Sequence, residues 1–342
     1  MAAPRVAINA RAAVRAEIGG VERIAREMSH RLPALRGDRY RVIKPPAMLA
    51  HRAGHAWEQL VLPLKASACE LIYSPANLAP ALSKRNVVLI PDAASFRFPE
   101  AYSRLYVAYQ RRLLPRLARA ARLVLTVSEF SRQELVDTLG VTPELVRVVP
   151  PGVDERFTPQ ADPAPAITRY QLERPYVLAV GTMSARKNYG ALEATARELH
   201  ERGIDLVLAG SDRDYLRGGT VSARRIGYVP DQLLPGLYAG ARALVMPSLY
   251  EGFGLPCLEA MAAGTPVVIA PRAALPETCG DAALLAEPDD PEQFACAVSS
   301  AACDRQARER LRRAGLERAA QYSWNRTAQM TDEALGQLLE GP

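Results

Sequence analysis

Short apolar runs alternate with segments of helical periodicity along almost the whole chain, and this alternation most strongly limits the possible folds. Each run has the length of one buried strand, and such an alternation is typical of parallel sheets covered by helices. Strands are predicted at residues 5–9, 40–43, 71–73, 87–90, 123–127, 146–149, 176–180, 205–209, 224–226, 243–246 and 266–269. Helices are predicted at residues 21–32, 101–121, 131–139, 189–202, 231–239, 257–263 and 291–322. The sequence therefore predicts an α/β protein with doubly wound parallel sheets.

The length of 342 residues exceeds one ordinary hydrophobic core and predicts two domains in tandem. The proline-rich stretch 158–165 is a candidate linker, because its prolines do not suit the interior of a helix or strand. We therefore expect an N-terminal domain at 1–160, a second domain at 161–320 and a C-terminal segment at 321–342. Such sheets bind ligands beyond the carboxyl ends of their strands, so two facing domains would form a cleft.

Composition argues against several classes of protein. The chain is 49% hydrophobic and 23% charged, as expected of a globular protein, and it has no apolar run long enough to span a membrane. Its N-terminus lacks the long apolar core of a signal peptide. The five cysteines are odd in number and form no Cys-x-x-Cys pair, and the four histidines are scattered. We expect neither a disulfide framework nor a metal site, and a cytoplasmic location.

Charge is distributed unevenly between the two halves. Residues 1–160 hold 24 Lys and Arg side chains against 14 Asp and Glu, whereas the remainder holds 19 against 23. A basic half can indicate nucleic acid, an anionic membrane surface or a phosphorylated substrate. The chain has no zinc finger or aromatic RNA-binding motif, so we expect no nucleic-acid partner.

The segment 247–259, Pro-Ser-Leu-Tyr-Glu-Gly-Phe-Gly-Leu-Pro-Cys-Leu-Glu, is the most informative part of the sequence. A glycine-rich loop follows a predicted strand, and a helix opens near Pro256, where proline suits the first turn. Glycines let the backbone N–H groups approach a ligand, and a helix N-terminus favours a diphosphate. The carboxylates of Glu251 and Glu259 are then suited to accept hydrogen bonds from sugar hydroxyls. The alternative is a purely structural turn in which Glu259 complements the helix dipole.

The segment 180–188, Val-Gly-Thr-Met-Ser-Ala-Arg-Lys-Asn, is a second candidate site directly after a strand. Adjacent cations after small residues suit a leaving diphosphate. Lys187 is the only lysine after residue 160 in a half that otherwise uses arginine. The alternative is a solvated Arg–Lys pair at the start of a helix.

Together these segments closely resemble the donor site of the retaining family 4 glycosyltransferases, which have the GT-B fold of two Rossmann-like domains. The resemblance implies that Glu251 contacts the donor sugar, that Glu259 contacts the nucleotide ribose, and that Arg186 and Lys187 face the phosphates. Glu251, Arg186 and Lys187 are accordingly the expected catalytic residues. The other residues that the resemblance assigns to the donor in this half are Thr182, Tyr228, Val229, Gly252, Phe253, Gly254 and Leu255.

Weaker similarities extend over most of the chain. The segment 226–231 resembles the family's nucleobase-binding segment, and 275–281 resembles a stretch beneath the donor site. Gly20, in a Gly-Gly pair before a helix, resembles a loop that closes on the donor phosphates. The family's last helix crosses back to the first domain, which implies that role for 321–342. Trp324 resembles the closing aromatic residue, for which packing in a core is the favoured interpretation.

The first half departs from the family at residues 87–92, Val-Val-Leu-Ile-Pro-Asp. Relatives usually carry a histidine where this chain has Pro91, and that histidine lies near the reacting sugar. Asp92 remains as a candidate acceptor-side residue. The stretch 51–58, interpreted as a loop entering a helix, is a second candidate, because it could present His55 or Trp57 to an acceptor sugar.

The predicted helix 101–121 is amphipathic and basic, and two interpretations fit it. Its arginines could bind an anionic membrane surface, or its apolar side could pack on the sheet while the arginines are solvated. The charged residues are Arg104, Arg111, Arg112, Arg116 and Arg119.

The resemblance implies a metal-independent, retaining transfer of a hexose or deoxyhexose, preferably mannose, from a nucleotide diphosphate sugar. The acceptor would be a glycan or a lipid-linked glycan in surface polysaccharide synthesis, reached at the inner face of the cytoplasmic membrane. Asp212 and Asp214 flank Arg213 but are interpreted as loop residues rather than a metal site. The alternatives are a non-catalytic nucleotide-sugar-binding subunit and another enzyme on this fold, such as an epimerase.

Overall fold

The computed structural model describes residues 4–15, 17–46, 49, 54–211 and 221–340. The chain forms two compact units, which we call the first unit (residues 1–96, 108–152 and 323–342) and the second unit (residues 97–107 and 153–322). Asp212 and Asp214 lie outside the described residues.

Fourteen helices occur in the described residues, and most of them lie between consecutive strands as the sequence predicts. They are α1 (Gly20–Leu35), α2 (Gly54–Leu60), α3 (Leu62–Lys65), α4 (Ala94–Arg97), α5 (Arg104–Ala120), α6 (Glu129–Leu139), α7 (Ala164–Tyr170), α8 (Glu193–Glu201), α9 (Leu234–Ala239), α10 (Leu255–Ala262), α11 (Leu275–Cys279), α12 (Pro291–Cys303), α13 (Arg305–Ala319) and α14 (Trp324–Glu340).

A parallel sheet of six strands forms the centre of the first unit. Its strands are β1 (Val6–Asn9), β2 (Tyr40–Ile43), β3 (Leu71–Ser74), β4 (Asn86–Leu89), β5 (Leu123–Thr126) and β6 (Val146–Val148). They are arranged in the order β2-β1-β3-β4-β5-β6, with every neighbouring pair parallel. All residues of β1, β3, β4 and β5 are buried, which explains their continuous apolar runs. The strand order reverses direction between β1 and β3.

Capping and burial of apolar side chains position the helices around this sheet. Ser128 accepts a hydrogen bond from Ser131 N at 3.0 Å and caps the N-terminus of α6. In α5 the apolar side chains of Leu114 and Leu117 are buried, whereas its arginines are exposed. The packing interpretation of this helix therefore holds for its apolar side.

Helix α14 packs against α1 and is attached to the first unit by Asp332. Arg39 Nη1 lies 2.9 Å and Tyr40 Oη lies 2.6 Å from Asp332 Oδ1, while Arg36 Nε lies 3.0 Å from Oδ2. Trp324 is 1% exposed, which confirms that it packs in the core.

A second parallel sheet of six strands forms the centre of the second unit. Its strands are β7 (Tyr176–Val180), β8 (Asp205–Ala209), β9 (Arg224–Gly227), β10 (Ala243–Met246), β11 (Val267–Ile269) and β12 (Ala283–Leu285). The order is β12-β11-β10-β7-β8-β9, again parallel throughout. Here the order reverses between β7 and β10.

Several predicted elements differ from the structure. The proline-rich stretch 158–165 is not free of secondary structure, because α7 begins at Ala164, where the Asp162 side chain accepts a hydrogen bond from its N–H at 2.9 Å. The helix predicted at 291–322 is two helices, because Asp304 leaves the helical conformation and caps α13. Helix α5 begins at Arg104 rather than 101, after a short 3₁₀ turn at Pro99–Ala101.

Other elements were not predicted at all. Helix α11 lies within the motif 275–281, for which no secondary structure was predicted, and strand β12 follows it. Both are very short, so periodicity cannot reveal them. The helix predicted to follow the loop in 51–58 begins at Gly54 as α2, and residues 51–53 lie outside the described residues.

Candidate active site

The predicted donor residues converge where the strand order of the second sheet reverses. Arg186 and Lys187 lie in a 3₁₀ turn, Ala185–Lys187, that follows β7, and Glu251 lies in the loop after β10. Strands β7 and β10 are neighbours but their order in the chain is not consecutive. Sheets of this kind bind ligands beyond the carboxyl ends of the strands at such a reversal.

An ion cluster joins the two loops. Lys187 Nζ lies 2.7 Å from Glu251 Oε1, and Arg186 Nη1 lies 3.1 Å from Glu251 Oε2. The Lys187 side chain is only 5% exposed and that of Glu251 10%. The lysine contact is an ion pair without hydrogen-bond geometry, so Oε1 accepts no well-directed hydrogen bond from the described residues.

Burial and charge act in opposite directions on these groups. Burial alone raises the pKa of Glu251, but the charges of Arg186 and Lys187 outweigh it and lower that pKa to about 2. Burial lowers the pKa of Lys187, and the carboxylate of Glu251 opposes this effect. Burial, with Glu251 adding to it, raises the pKa of the neighbouring Tyr189. Glu251 is therefore a carboxylate at neutral pH, held between two cationic side chains.

Hydrogen bonds to backbone carbonyls hold the two loops in place. Leu249 N donates to Arg186 O at 2.8 Å, and Arg186 Nη1 donates to Tyr250 O at 2.9 Å. Ala274 N donates to Glu251 O at 3.2 Å. The position of the cluster thus depends on three segments that are distant in sequence.

At two positions a neighbouring side chain lies so close to the backbone that only glycine fits. A Cβ on Gly181 would lie 2.6 Å from Lys187 Cε, so the lysine lies directly against that backbone. Gly254 has φ +102°, and a Cβ there would lie 2.8 Å from Leu275 Cδ2. Both glycines also adopt positive φ, which other residues rarely adopt.

Helix α10 begins at Leu255, with Pro256 in its first turn, close to the predicted position. The predicted pocket residues Gly252, Phe253 and Gly254 precede it, and Phe253 O accepts a hydrogen bond from Thr278 Oγ1 at 2.5 Å. The Phe253 ring is buried, 5.8 Å from the ring of Tyr322, so only its backbone can serve a ligand.

Glu259 is the fifth residue of α10, just past the first turn of this helix, and is 4% exposed. Tyr238 Oη donates a hydrogen bond to Glu259 Oε2 at 3.0 Å. A buried carboxylate with such a donor is held in one orientation, as a binding group requires.

The structure also places the remaining predicted residues. Thr182 follows β7, whereas Tyr228 and Val229 follow the edge strand β9, two strands away. In the first unit the predicted residues lie at three different helices. They are Gly20, the first residue of α1; Asp92, whose Oδ1 accepts a hydrogen bond from Ala94 N at 3.0 Å at the start of α4; and His55 in α2.

The prediction that Trp57 could face an acceptor is wrong. Trp57 is 2% exposed and belongs to the core cluster around Ile43 and Leu62. Trp57 therefore faces the core, and His55, with its side chain 48% exposed, is the member of the pair that can meet a ligand.

Sequence reasoning missed the segment 97–107, which groups with the second unit. Its 3₁₀ turn Pro99–Ala101 contacts the turn of Arg186 and Lys187, and the Phe98 ring lies 5.5 Å from the ring of Tyr250. Tyr250 immediately precedes Glu251. The segment has no motif of its own, so only its position in the fold reveals this contact.

The described residues contain no group of three His, Cys, Asp or Glu side chains able to hold a metal ion. Their helices likewise include none that is long and apolar enough to cross a membrane. All five cysteines are free thiols.

Two family models match the chain. One, described as glycosyl transferases group 1, covers residues 174–304, and the other, described as glycosyltransferase family 4, covers residues 76–157. The O-antigen chain mannosyltransferase B of Escherichia coli is 35% identical over 281 residues, which is 77% of this chain and 73% of the relative. The chain belongs to the family 4 glycosyltransferases.

This glycosyltransferase is also similar to a D-inositol 3-phosphate glycosyltransferase of Corynebacterium jeikeium, at 31% identity over 244 residues. That alignment covers 64% of this chain but only 57% of the relative. Among solved structures, sucrose-phosphate synthase from Thermosynechococcus elongatus matches with a TM-score of 0.76 at 20% identity, covering 99% of this chain and 100% of that one. The match confirms the predicted GT-B fold with two α/β domains.

Proposed function

We propose that this glycosyltransferase moves a hexose or deoxyhexose, with mannose as first choice, from a nucleotide diphosphate sugar to a glycan or lipid-linked acceptor. The observation that carries the proposal is the buried cluster of Arg186, Lys187 and Glu251 at the strand-order reversal of the second sheet. Two cations beside the start of α10 suit a diphosphate, and a carboxylate suits sugar hydroxyls.

The cluster supplies positive charge where the reaction needs it. When the bond between the anomeric carbon and the phosphate oxygen breaks, negative charge accumulates on the departing diphosphate. Arg186 and Lys187 stabilise that charge in a site that excludes water. Lys187 then exchanges part of its interaction with Glu251 for a phosphate, and Glu251 Oε1 accepts hydrogen bonds from the sugar. The reaction in this scheme needs no metal ion.

Transfer proceeds with retention, as the family resemblance implies. The acceptor hydroxyl attacks the anomeric carbon from the face that the diphosphate leaves. The departing phosphate oxygen takes the proton of that hydroxyl, so one C–O bond breaks, one forms and the proton stays on the leaving group. No carboxylate of the chain is needed as a nucleophile.

The remaining residues have supporting roles in the proposal. Glu259 binds the nucleotide ribose, held by Tyr238. The backbone of Tyr228 and Val229 receives the nucleobase, while Thr182 and Gly20 approach the phosphates. The first unit supplies the acceptor side, with Asp92 and His55 as the candidate residues.

The choice of mannose and of polysaccharide synthesis rests on the Escherichia coli relative, which is named an O-antigen chain mannosyltransferase. Association with the inner face of the cytoplasmic membrane is supported by helix α5. Its Leu105 is 85% exposed beside exposed Arg104, so an apolar side chain and a cation share one surface.

Product analysis tests the proposal. The full chain is incubated with GDP-mannose, UDP-glucose or dTDP-rhamnose and an α-mannoside acceptor, and the anomeric configuration of the product is read by NMR. An α-linked mannoside from GDP-α-mannose supports the proposal. A product of inverted configuration contradicts retention, and nucleotide binding without any product supports the non-catalytic alternative.

A further inference from the structure

The first sheet has its own strand-order reversal, between β1 and β3. Asn9 is the last residue of β1 and Ser74 the last of β3, and Asn9 Nδ2 donates to Ser74 Oγ at 3.2 Å across the reversal. Sheets of this kind bind ligands beyond the carboxyl ends of the strands where the strand order reverses, so this edge is the expected ligand site of the first unit.

A buried carboxylate from α2 reaches this edge. Glu58 is 0% exposed, and its Oε1 accepts hydrogen bonds from Asn9 Nδ2 at 2.6 Å and from Arg11 Nε at 3.1 Å. Its other oxygen, Oε2, is buried and accepts no hydrogen bond from any residue that the structure describes. A buried carboxylate oxygen without a donor is costly, and native proteins rarely leave one unmatched.

His55 lies close to that oxygen. Its Nδ1 lies 3.7 Å from Glu58 Oε2, one helical turn away, which is slightly beyond hydrogen-bond distance. A small rotation of the imidazole closes this gap, and catalytic hydrogen bonds often tighten only when a ligand binds. With Nδ1–H directed at Glu58, Nε2 must be the acceptor nitrogen of the neutral ring.

Tyr109 completes the exposed side of the cluster. Its ring lies 6.2 Å from the imidazole of His55 in an edge-to-face arrangement, and it is 42% exposed. Burial and the charge of Glu58 raise the pKa of Tyr109, so the phenol lies within electrostatic reach of the carboxylate and keeps its proton. An exposed aromatic ring beside a hydrogen-bonding group suits the apolar face of a sugar.

We propose that His55 and Tyr109 form the acceptor subsite, with Glu58 as the residue that positions His55 through Nδ1. This inference rests on the proposed function and extends it to the class of acceptor. His55 Nε2 accepts a hydrogen bond from a sugar hydroxyl, and the Tyr109 ring packs against the same sugar. Arg11 and Glu58 carry opposite charges, so the cluster has no net attraction for an anion. The acceptor group bound here is therefore a neutral saccharide rather than a sugar phosphate.

Acceptor binding to the full chain tests the subsite. Methyl α-mannoside and mannose 6-phosphate serve as probes, and binding is followed by saturation-transfer NMR in the presence of nucleoside diphosphate. We expect the neutral probe to bind and His55→Phe to weaken it about tenfold, the effect of one lost hydrogen bond of about 1.4 kcal/mol. His55→Gln, which keeps an acceptor atom, is expected to restore most of the binding. The matched control is His30→Phe, an exposed histidine of α1.

Glu58→Gln is expected to weaken the neutral probe with no change in nucleotide affinity, because Glu58 acts through His55. This variant alters a buried ion pair and can lose stability, so the His55 variants carry the test independently. Unchanged binding in His55→Phe, stronger binding of the phosphate, or no binding of the neutral probe to the wild type would overturn the subsite. Nucleotide binding is scored separately, so its loss in the wild type refutes the donor proposal instead.

Discussion

Lys187 Nζ lies 2.7 Å from Glu251 Oε1, although the two residues belong to loops that are 64 positions apart and follow different strands. Both side chains are nearly inaccessible to solvent. A buried ion pair contributes little net stability by itself, but each partner compensates the charge of the other, which would otherwise be costly in the interior. The lysine that faces the diphosphate and the carboxylate that faces the sugar are thus maintained as one unit.

Lys187→Met is expected to weaken nucleoside diphosphate binding 10- to 100-fold, because a charge-assisted contact to the phosphates is lost. It also leaves Glu251 with Arg186 alone, so the free energy of unfolding falls by about 3–5 kcal/mol. Calorimetric titration and urea unfolding measure the two effects.

The control for this variant is Lys65→Met, which changes an exposed lysine of α3. It should leave both quantities within error of the wild type. Wild-type nucleotide affinity in Lys187→Met would show that the cluster is not the phosphate site.

Glu251→Gln tests the pH dependence of stability. The pKa of Glu251 is about 2 in the folded protein and has an ordinary value of 4.5, so its contribution is fully present above pH 4.5 and is lost as the pH falls toward 2. That contribution is about 3 kcal/mol at neutral pH. The difference in unfolding free energy between wild type and variant should therefore shrink as the pH falls from 5 to about 2.5. A difference that stays constant over this range would mean that Glu251 is not held by the two cations.

Gly254→Ala should impair the donor loop specifically. The residue has φ +102°, and the added Cβ meets Leu275 Cδ2 at 2.8 Å, so we expect a loss of about 1–3 kcal/mol in stability and about tenfold weaker nucleotide binding.

Gly140→Ala is the matched control, because Gly140 has φ +63° with open space around its Cβ position. It should lose stability from backbone strain without a change in nucleotide affinity. Equal nucleotide affinity in both variants would show that the Gly254 backbone is not part of the nucleotide site.

Tyr238→Phe should reduce nucleotide affinity through Glu259. The phenol donates to Glu259 Oε2 at 3.0 Å, and hydrogen bonds to charged groups contribute about 1.5–3 kcal/mol. Tyr176→Phe is a close comparison, because its hydroxyl donates at 2.7 Å to the backbone of Leu237 in the same unit. The Tm of thermal unfolding should fall in both variants. Calorimetry should show weaker nucleotide binding in Tyr238→Phe alone. Equal nucleotide affinity in the two variants would argue against Glu259 as the ribose contact.

Sequence alone predicted eleven of the twelve strands found in the described part of the chain, because buried parallel strands are continuous apolar runs. It could not predict that β7 and β10 are neighbours, since strand pairing depends on contacts between distant segments. Arg186, Lys187 and Glu251 were identified from two local motifs. Their ion pairing, and the contact of residues 97–107 with the same turn, follow only from the three-dimensional arrangement.

The acceptor side was harder to predict for a similar reason. His55 and Trp57 lie two positions apart, and nothing in the local sequence distinguishes the exposed residue from the buried one. Glu58 was not singled out, because a lone glutamate in a helix is normally solvated. Its partners Asn9 and Arg11 lie almost 50 positions earlier in the sequence, and they contact Glu58 only in the folded structure.

The most direct test of the donor site is a thermal-shift panel of UDP, GDP, dTDP, ADP and their sugar conjugates, with and without EDTA, on the wild type and Lys187→Met. A ligand that binds only the folded state raises its stability, by about 2.7 kcal/mol at one hundred times Kd. We predict that one nucleotide series raises the Tm of the wild type equally with and without EDTA, and raises that of the variant far less. If no nucleotide stabilises the wild type at millimolar concentration, or if the variant responds equally, the assignment of the donor site is contradicted.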